Sequence, residues 1–147
     1  MKKFVLAVTV ITLLMMDLSA QEYKILTSVE SIVPMGIGRS RIINYAQEMD
    51  ASRFTTERTQ GTDSNQKDVK RKNLKIDELE ETKLLNFYSA TGINFQNIAS
   101  NDAVISSKLT ELAQQGWELV FVTSGVESDG GETDGNGIFI TRYIFKR

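Results

Sequence analysis

The chain has no cysteine and no histidine, one proline and one tryptophan in 147 residues. Without cysteine there is neither a disulfide nor a thiolate nucleophile. Without histidine there is no side chain that ordinarily titrates near neutrality, and none of the imidazole ligands that zinc and haem sites favour. Composition thus excludes Ser-His-Asp and Cys-His catalysis, His-based zinc sites and haem ligation by histidine. Any catalysis must use carboxylates, Lys, Tyr, Ser and Thr. Net charge is equally spare: 17 basic against 19 acidic side chains leave −2, with no bias toward polyanions.

What is present starts with a charged, then apolar, then small-residue order. Lys2-Lys3 precede the apolar run Phe4 to Met16, which reaches Leu18-Ser19-Ala20. The order predicts a secretory signal peptide over residues 1–20, cut after Ala20. The run is shorter than the roughly 20 residues of a membrane span, so no span is expected. With no cysteine to carry a lipid, the chain from Gln21 is expected to be exported as one domain, periplasmic or extracellular. Export without cysteine leans toward a bacterial envelope.

Along that domain, Glu22 to Val29 (EYKILTSV) reads as a first strand and Arg39 to Tyr45 (RSRIINY) as a second extended piece at an edge. Residues 46–73 hold only Met49, Phe54 and Val69 as large apolar side chains, which predicts a long, mobile polar insertion. Leu74 to Ser89 (LKIDELEETKLLNFYS) is read as an amphipathic helix, and Gly92 to Ile98 as a short extended connector. Asn101-Asp102 can cap a main helix Asp102 to Gln115, with Ile105, Leu109 and Leu112 on one face and Gly116 as its left-handed stop. Trp117 to Ser124 and Ile138 to Arg147 are strands apolar on both faces. Each side of the sheet therefore needs a cover: the main helix on one, and the Leu74 to Ser89 helix or a second copy in a homodimer on the other.

The stretch LTELAQQGWELVFV with the closing TRYIFKR resembles the small bacterial family catalogued as domain of unknown function 4177. Tyr23-Lys24, Leu112, Gly116, Trp117, Glu118, Leu119, Val120, Tyr143, Phe145, Lys146 and Arg147 match its pattern, over about half of the chain from Gln21. A long insertion relative to the family, Ser31 to Ala99, and the leader depart from it, and GRSRIINY, TGINFQNI and GIFITRY resemble a secreted branch in Bacteroidetes. The resemblance implies the fold and, since the family carries no assigned activity, no function. In that motif Gly116 reverses the chain, Trp117 plugs the core and Glu118 faces outward to pair with Arg142 or Lys146 across the sheet.

The candidate chemical sites are few. ESDGGETDGNG, Glu127 to Gly137, places Asp129, Glu132, Asp134 and Asn136 as oxygen donors for a weak calcium site. EF-hand spacing fails twice: counted from Asp129, Gly131 and Thr133 stand where acids are needed, and counted from Asp134, Phe145 stands where the last Glu is needed. Asp134-Gly135 and Asn136-Gly137 equally suit a plain hairpin turn. GIGRSR, Gly36 to Arg41, lacks the third glycine of a dinucleotide fingerprint. Ser64 to Lys67 matches Ser-x-x-Lys in letters without a helix to hold it. Lys67 to Lys72 is basic but lacks interleaved aromatics, so no nucleic-acid partner is expected. Glu80-Glu81 point in different directions and make a poor acid/base pair.

The expectation is an α+β domain: a small antiparallel sheet of three to four strands packed against one main helix, plus a second helix and the insertion. Its expected role is a non-catalytic binding or interaction module with an unidentified envelope partner. The alternative is a carboxylate-dependent, calcium-assisted hydrolase or lyase using Asp129, Glu132 and Asp134.

Overall fold

Residues rich in β-branched and aromatic side chains form the sheet in the computed structural model, which describes residues 20–31, 40–62, 64–89, 91–126 and 138–147. The strands are β1 (Tyr23–Ser31), β2 (Arg41–Tyr45), β3 (Leu79–Lys83), the two-residue β4 (Tyr88–Ser89) and β5 (Gly92–Ile93), β6 (Glu118–Val126) and β7 (Ile138–Lys146). The main sheet is antiparallel in the order β3-β2-β1-β7-β6; β4 and β5 form a separate small ladder. The helices are α1 (Arg71–Leu74) and the long α2 (Phe95–Gln114). This is the expected α+β arrangement with five strands in the sheet instead of three or four.

The extra strand comes from the segment read as a helix. Leu79–Lys83 (LEETK) has good helix formers, yet it pairs with β2 from Tyr45↔Leu79 to Arg41↔Lys83. Ladder bonds and the docking of the residue that follows outweigh helix propensity, which differs by only about 0.7 kcal/mol among ordinary residues. Leu84 is 3% exposed in the core, and its N–H donates to the Ser40 carbonyl at 3.0 Å.

Helix α2 begins well before the expected start. Asn94 caps it, its Oδ1 accepting from the Gln96 and Asn97 N–H groups at 3.1 and 3.2 Å, so residues read as an extended connector form its first turn. Asn101, expected as the cap, instead lies inside the helix and is 1% exposed. Its Oδ1 accepts from the Leu85 N–H at 2.8 Å, and its Nδ2 donates to the Leu85 carbonyl at 2.7 Å and to Glu30 Oε1 at 3.0 Å. One side-chain amide thus satisfies both backbone groups of Leu85, just past the end of β3. A polar residue at an inward position also breaks the apolar stripe, which is why the stripe points to a shorter helix.

Residues opposite one another across the ladders share a face. Leu26, Ile42 and Phe145 belong to the buried core together with Leu84 and the α2 residues Ile105 and Leu112. Ile25, Ile144 and Phe121 share the other face, where Ile25 and Phe121 stay exposed. The expected helical cover for that face is itself a strand in the sheet. Among the described residues of 46–73, the expected insertion, none belongs to the buried core. They hold the 3-10 turns Ala51–Phe54 and Gln66–Asp68 and the start of α1.

The helix-to-strand turn follows its sequence. Gly116 has φ +87°. Its N–H donates to the Ala113 carbonyl, and that of Trp117 to the Leu112 carbonyl, each at 3.0 Å. These two bonds define a Schellman cap, and Trp117 packs back on the core beside Leu112 as that motif favours.

Candidate functional site

Antiparallel pairing of β1 with β7 brings Glu22 and Arg147 together. Glu22 and Arg147 exchange backbone hydrogen bonds at 2.9 and 3.0 Å, and Tyr23 stands opposite Lys146. Beside this junction the chain leaving β2 and the Gly116-Trp117 turn enclose a cleft of about 660 Å³. Tyr23, Lys24, Tyr45, Met49, Trp117 and Arg147 are among its walls.

Its centre is aromatic and cationic. Lys24 Nζ lies 5.9 Å from the ring centroids of both Tyr45 and Trp117, within the range at which a ring face attracts an ammonium. The Arg147 guanidinium is 4.5 Å from the centroid of Trp117 and is neutralised by Glu22, with Nη2 to Oε2 at 2.5 Å. Lys24 forms no ion pair among the described residues. On the rim beyond Met49, Asp50 caps the first 3-10 turn. Hydrogen bonds from the Ser52 side chain and then from its backbone N–H hold the Asp50 carboxyl below the usual carboxylate range, with Arg53 adding to the effect.

Of Gly116, Trp117 and Glu118, singled out in the sequence, Trp117 lines the cleft and its two chain neighbours do not. Glu118 pairs with Lys146 at 3.3 Å, the second of its two expected partners, directly across the β6/β7 ladder. Asp129, Glu132, Asp134 and Asn136 lie outside the described residues, as does most of GIGRSR. Ser64 precedes a 3-10 turn that holds Lys67, so no α-helix carries that pair. Lys70, Arg71 and Lys72 are exposed around α1. Glu80 and Glu81 diverge because strand neighbours point to opposite faces: Glu80 accepts from Asn44 at 2.9 Å and Glu81 pairs with Arg41 at 2.6 Å. Among the described residues, no group of three acidic side chains is placed to hold a metal, and no helix is long and apolar enough to cross a membrane.

Sequence reasoning missed Lys24 and Tyr45 as cleft residues, although Tyr23-Lys24 and Arg147 are among the residues on which the family resemblance was drawn. No protein-family model, curated protein or solved structure matches the chain.

Proposed function

We propose that the chain is an exported, non-catalytic binding module of a bacterial envelope, and that it holds its ligand in the cleft between Tyr45 and Trp117. Export is supported by the order of charge, apolar run and small residues before Gln21. The resemblance to the domain of unknown function 4177 family supports the sheet and its Gly116-Trp117 turn and adds no activity. The observation that carries the binding reading is Lys24: a half-buried ammonium against two ring faces, in no ion pair among the described residues, keeps N–H donors for an incoming acceptor. The complementary ligand is a flat apolar group bearing a carboxylate. Self-association is the second part of the reading, supported by the apolar surface that the sheet leaves exposed.

Trp117 is the chain's only tryptophan, so its emission reports on this cleft alone. Titration with N-acetylphenylalanine is expected to give a saturable emission change that its uncharged amide does not give and Lys24→Met abolishes. No saturable response to the acid would end the cleft reading. The calcium-assisted alternative rests on the oxygen donors Asp129, Glu132, Asp134 and Asn136 in the sequence. Its test is a thermal melt in chelator, magnesium and calcium. A ligand that binds only the folded state raises apparent stability, so the alternative requires a calcium-selective rise that Asp134→Ala removes.

A further inference from the structure

Strand β6 is exposed along its whole length, from Glu118 to Val126, although it belongs to the sheet. Partner β7 covers only one of its edges, and among the described residues the other is the free edge of the sheet. Phe121 and Val126 are 60% and 61% exposed, and Leu119, Val120 and Val122 at least 40%. The strand has no proline and no lysine, and its single charge, Glu118, is at its first residue. Prolines, lysines and charges along the strand are the devices by which sheets usually keep an edge from pairing.

One such device is present: a bulge. Leu119 pairs with Phe145 and Phe121 with Ile144, so Val120 is the extra residue, and a ladder on the free edge must start beyond it. Phe121 to Val126 is regular. A second copy brought up by a two-fold axis perpendicular to the sheet pairs antiparallel, and opposed residues must lie on the same face. The axis must then pass through a residue position, not between two.

With the axis at Thr123, Phe121 meets Gly125 of the second copy, Val122 meets Ser124, and Thr123 meets its own equivalent. Val126 falls opposite the bulge at Val120 and outside the ladder; from Phe121 to Gly125 each large side chain is opposed by a small one, an aromatic lies over a glycine, and Thr-Thr is a favourable cross-strand pair. The two Glu118 carboxylates sit at opposite ends of the contact, each held by its own Lys146. With the axis at Ser124, Val122 opposes Val126 and Phe121 loses its place over Gly125. Steric and charge complementarity thus select one occupant and one register.

We propose that β6 is the interface of a homodimer, pairing antiparallel with β6 of a second copy about Thr123 and joining two five-stranded sheets into one. This deepens the self-association part of the reading above and does not depend on the cleft's ligand. It also gives exposed Phe121 and Val122 cross-strand neighbours, Gly125 and Ser124 of the second copy, that no element of a single chain supplies on that edge among the described residues.

The absence of native cysteine makes a single introduced thiol unambiguous. In the exported chain from Gln21, which contains every strand of the sheet, light scattering across a micromolar series should give twice the protomer mass. Val122→Lys, which places like charges near the axis, should give one protomer mass with an unchanged circular dichroism spectrum. A Thr123→Cys chain treated with a short bifunctional thiol reagent should run as a covalent dimer, and a Lys83→Cys chain, altered on the opposite edge, as a monomer. A protomer mass for the unmodified chain throughout overturns both the interface and self-association. A dimer that survives Val122→Lys, and that the reagent joins in the Lys83→Cys chain but not in the Thr123→Cys chain, overturns the β6 interface alone.

Discussion

The two edges of the sheet are built on opposite principles. Edge strand β3 is short, LEETK, with three charged residues in five, and its acids are engaged by Asn44 and Arg41 of the neighbouring strand. Edge strand β6 has nine residues and a single charge at its start. Leu79 on β3 and Val122 on β6 are each 46% exposed, so exposure alone does not tell the two apart. Leu79 stands among charges that would meet like charges in any approaching strand, whereas Val122 follows Leu119, Val120 and Phe121 and precedes uncharged Thr123, Ser124 and Gly125. An interface is therefore marked by continuity of uncharged strand and not by the number of exposed hydrophobic residues.

The comparison holds only if both edges hang on one cooperative core. Phe145, 1% exposed on interior strand β7, tests that with the largest effect: Phe145→Ala should cost about 3–5 kcal/mol in urea unfolding and lower amide protection at both edges together. Protection lost on β6 alone would mean that the edges unfold independently. Asn101→Leu acts on one side only. It leaves the N–H and carbonyl of Leu85 without their side-chain partner, at about 2–3 kcal/mol, and the Leu85 amide should exchange much faster while β6 keeps its protection. Unchanged exchange at Leu85 would show that β3 is held some other way.

Gly116→Ala probes the root of the other edge. With φ at +87° and no crowding of the added methyl group beyond ordinary contact with Arg147, the cost comes from the backbone, about 1–2 kcal/mol in thermal or urea melts. A neutral outcome would mean that the Schellman turn relaxes. The smallest effect on stability should come from Glu80→Val with Glu81→Val, under about 1 kcal/mol because both acids are at the surface. It should nonetheless create a second mode of self-association by light scattering. If the mass distribution does not change, the β3 charges are not what keeps that edge free.

Much of the fold was legible where side-chain periodicity and local chemistry agree. The first strand, the Gly116 stop, the Trp117 strand and the last strand all follow from alternation and from the positive φ that glycine accepts, while alternation left Arg142 and Lys146 both open as partners of Glu118 and the ladder register chose Lys146. Leu79–Lys83 was not legible, since Leu, Glu and Lys suit a helix and only the ladder to β2 makes them a strand. The start of α2 was hidden because Asn101 occupies an inward position whose value depends on Leu85, sixteen residues earlier in the chain. The cleft was legible only as parts: Tyr23-Lys24, Trp117 and Arg147 stood out singly, and nothing local says that Tyr45 joins them.

The sequence by itself determined the chemistries that this chain cannot perform, since a missing imidazole or thiol is missing in any fold. It also determined the elements whose capping and alternation are satisfied by near neighbours. Tertiary structure decided the rest: that LEETK is an edge, that Asn101 belongs to the core, that the chain's first and last strands lie side by side, and that β6 has an uncovered flank among the described residues. Each depends on partners far apart in the chain, where the free energy of a contact is set by what arrives opposite and not by the residue alone.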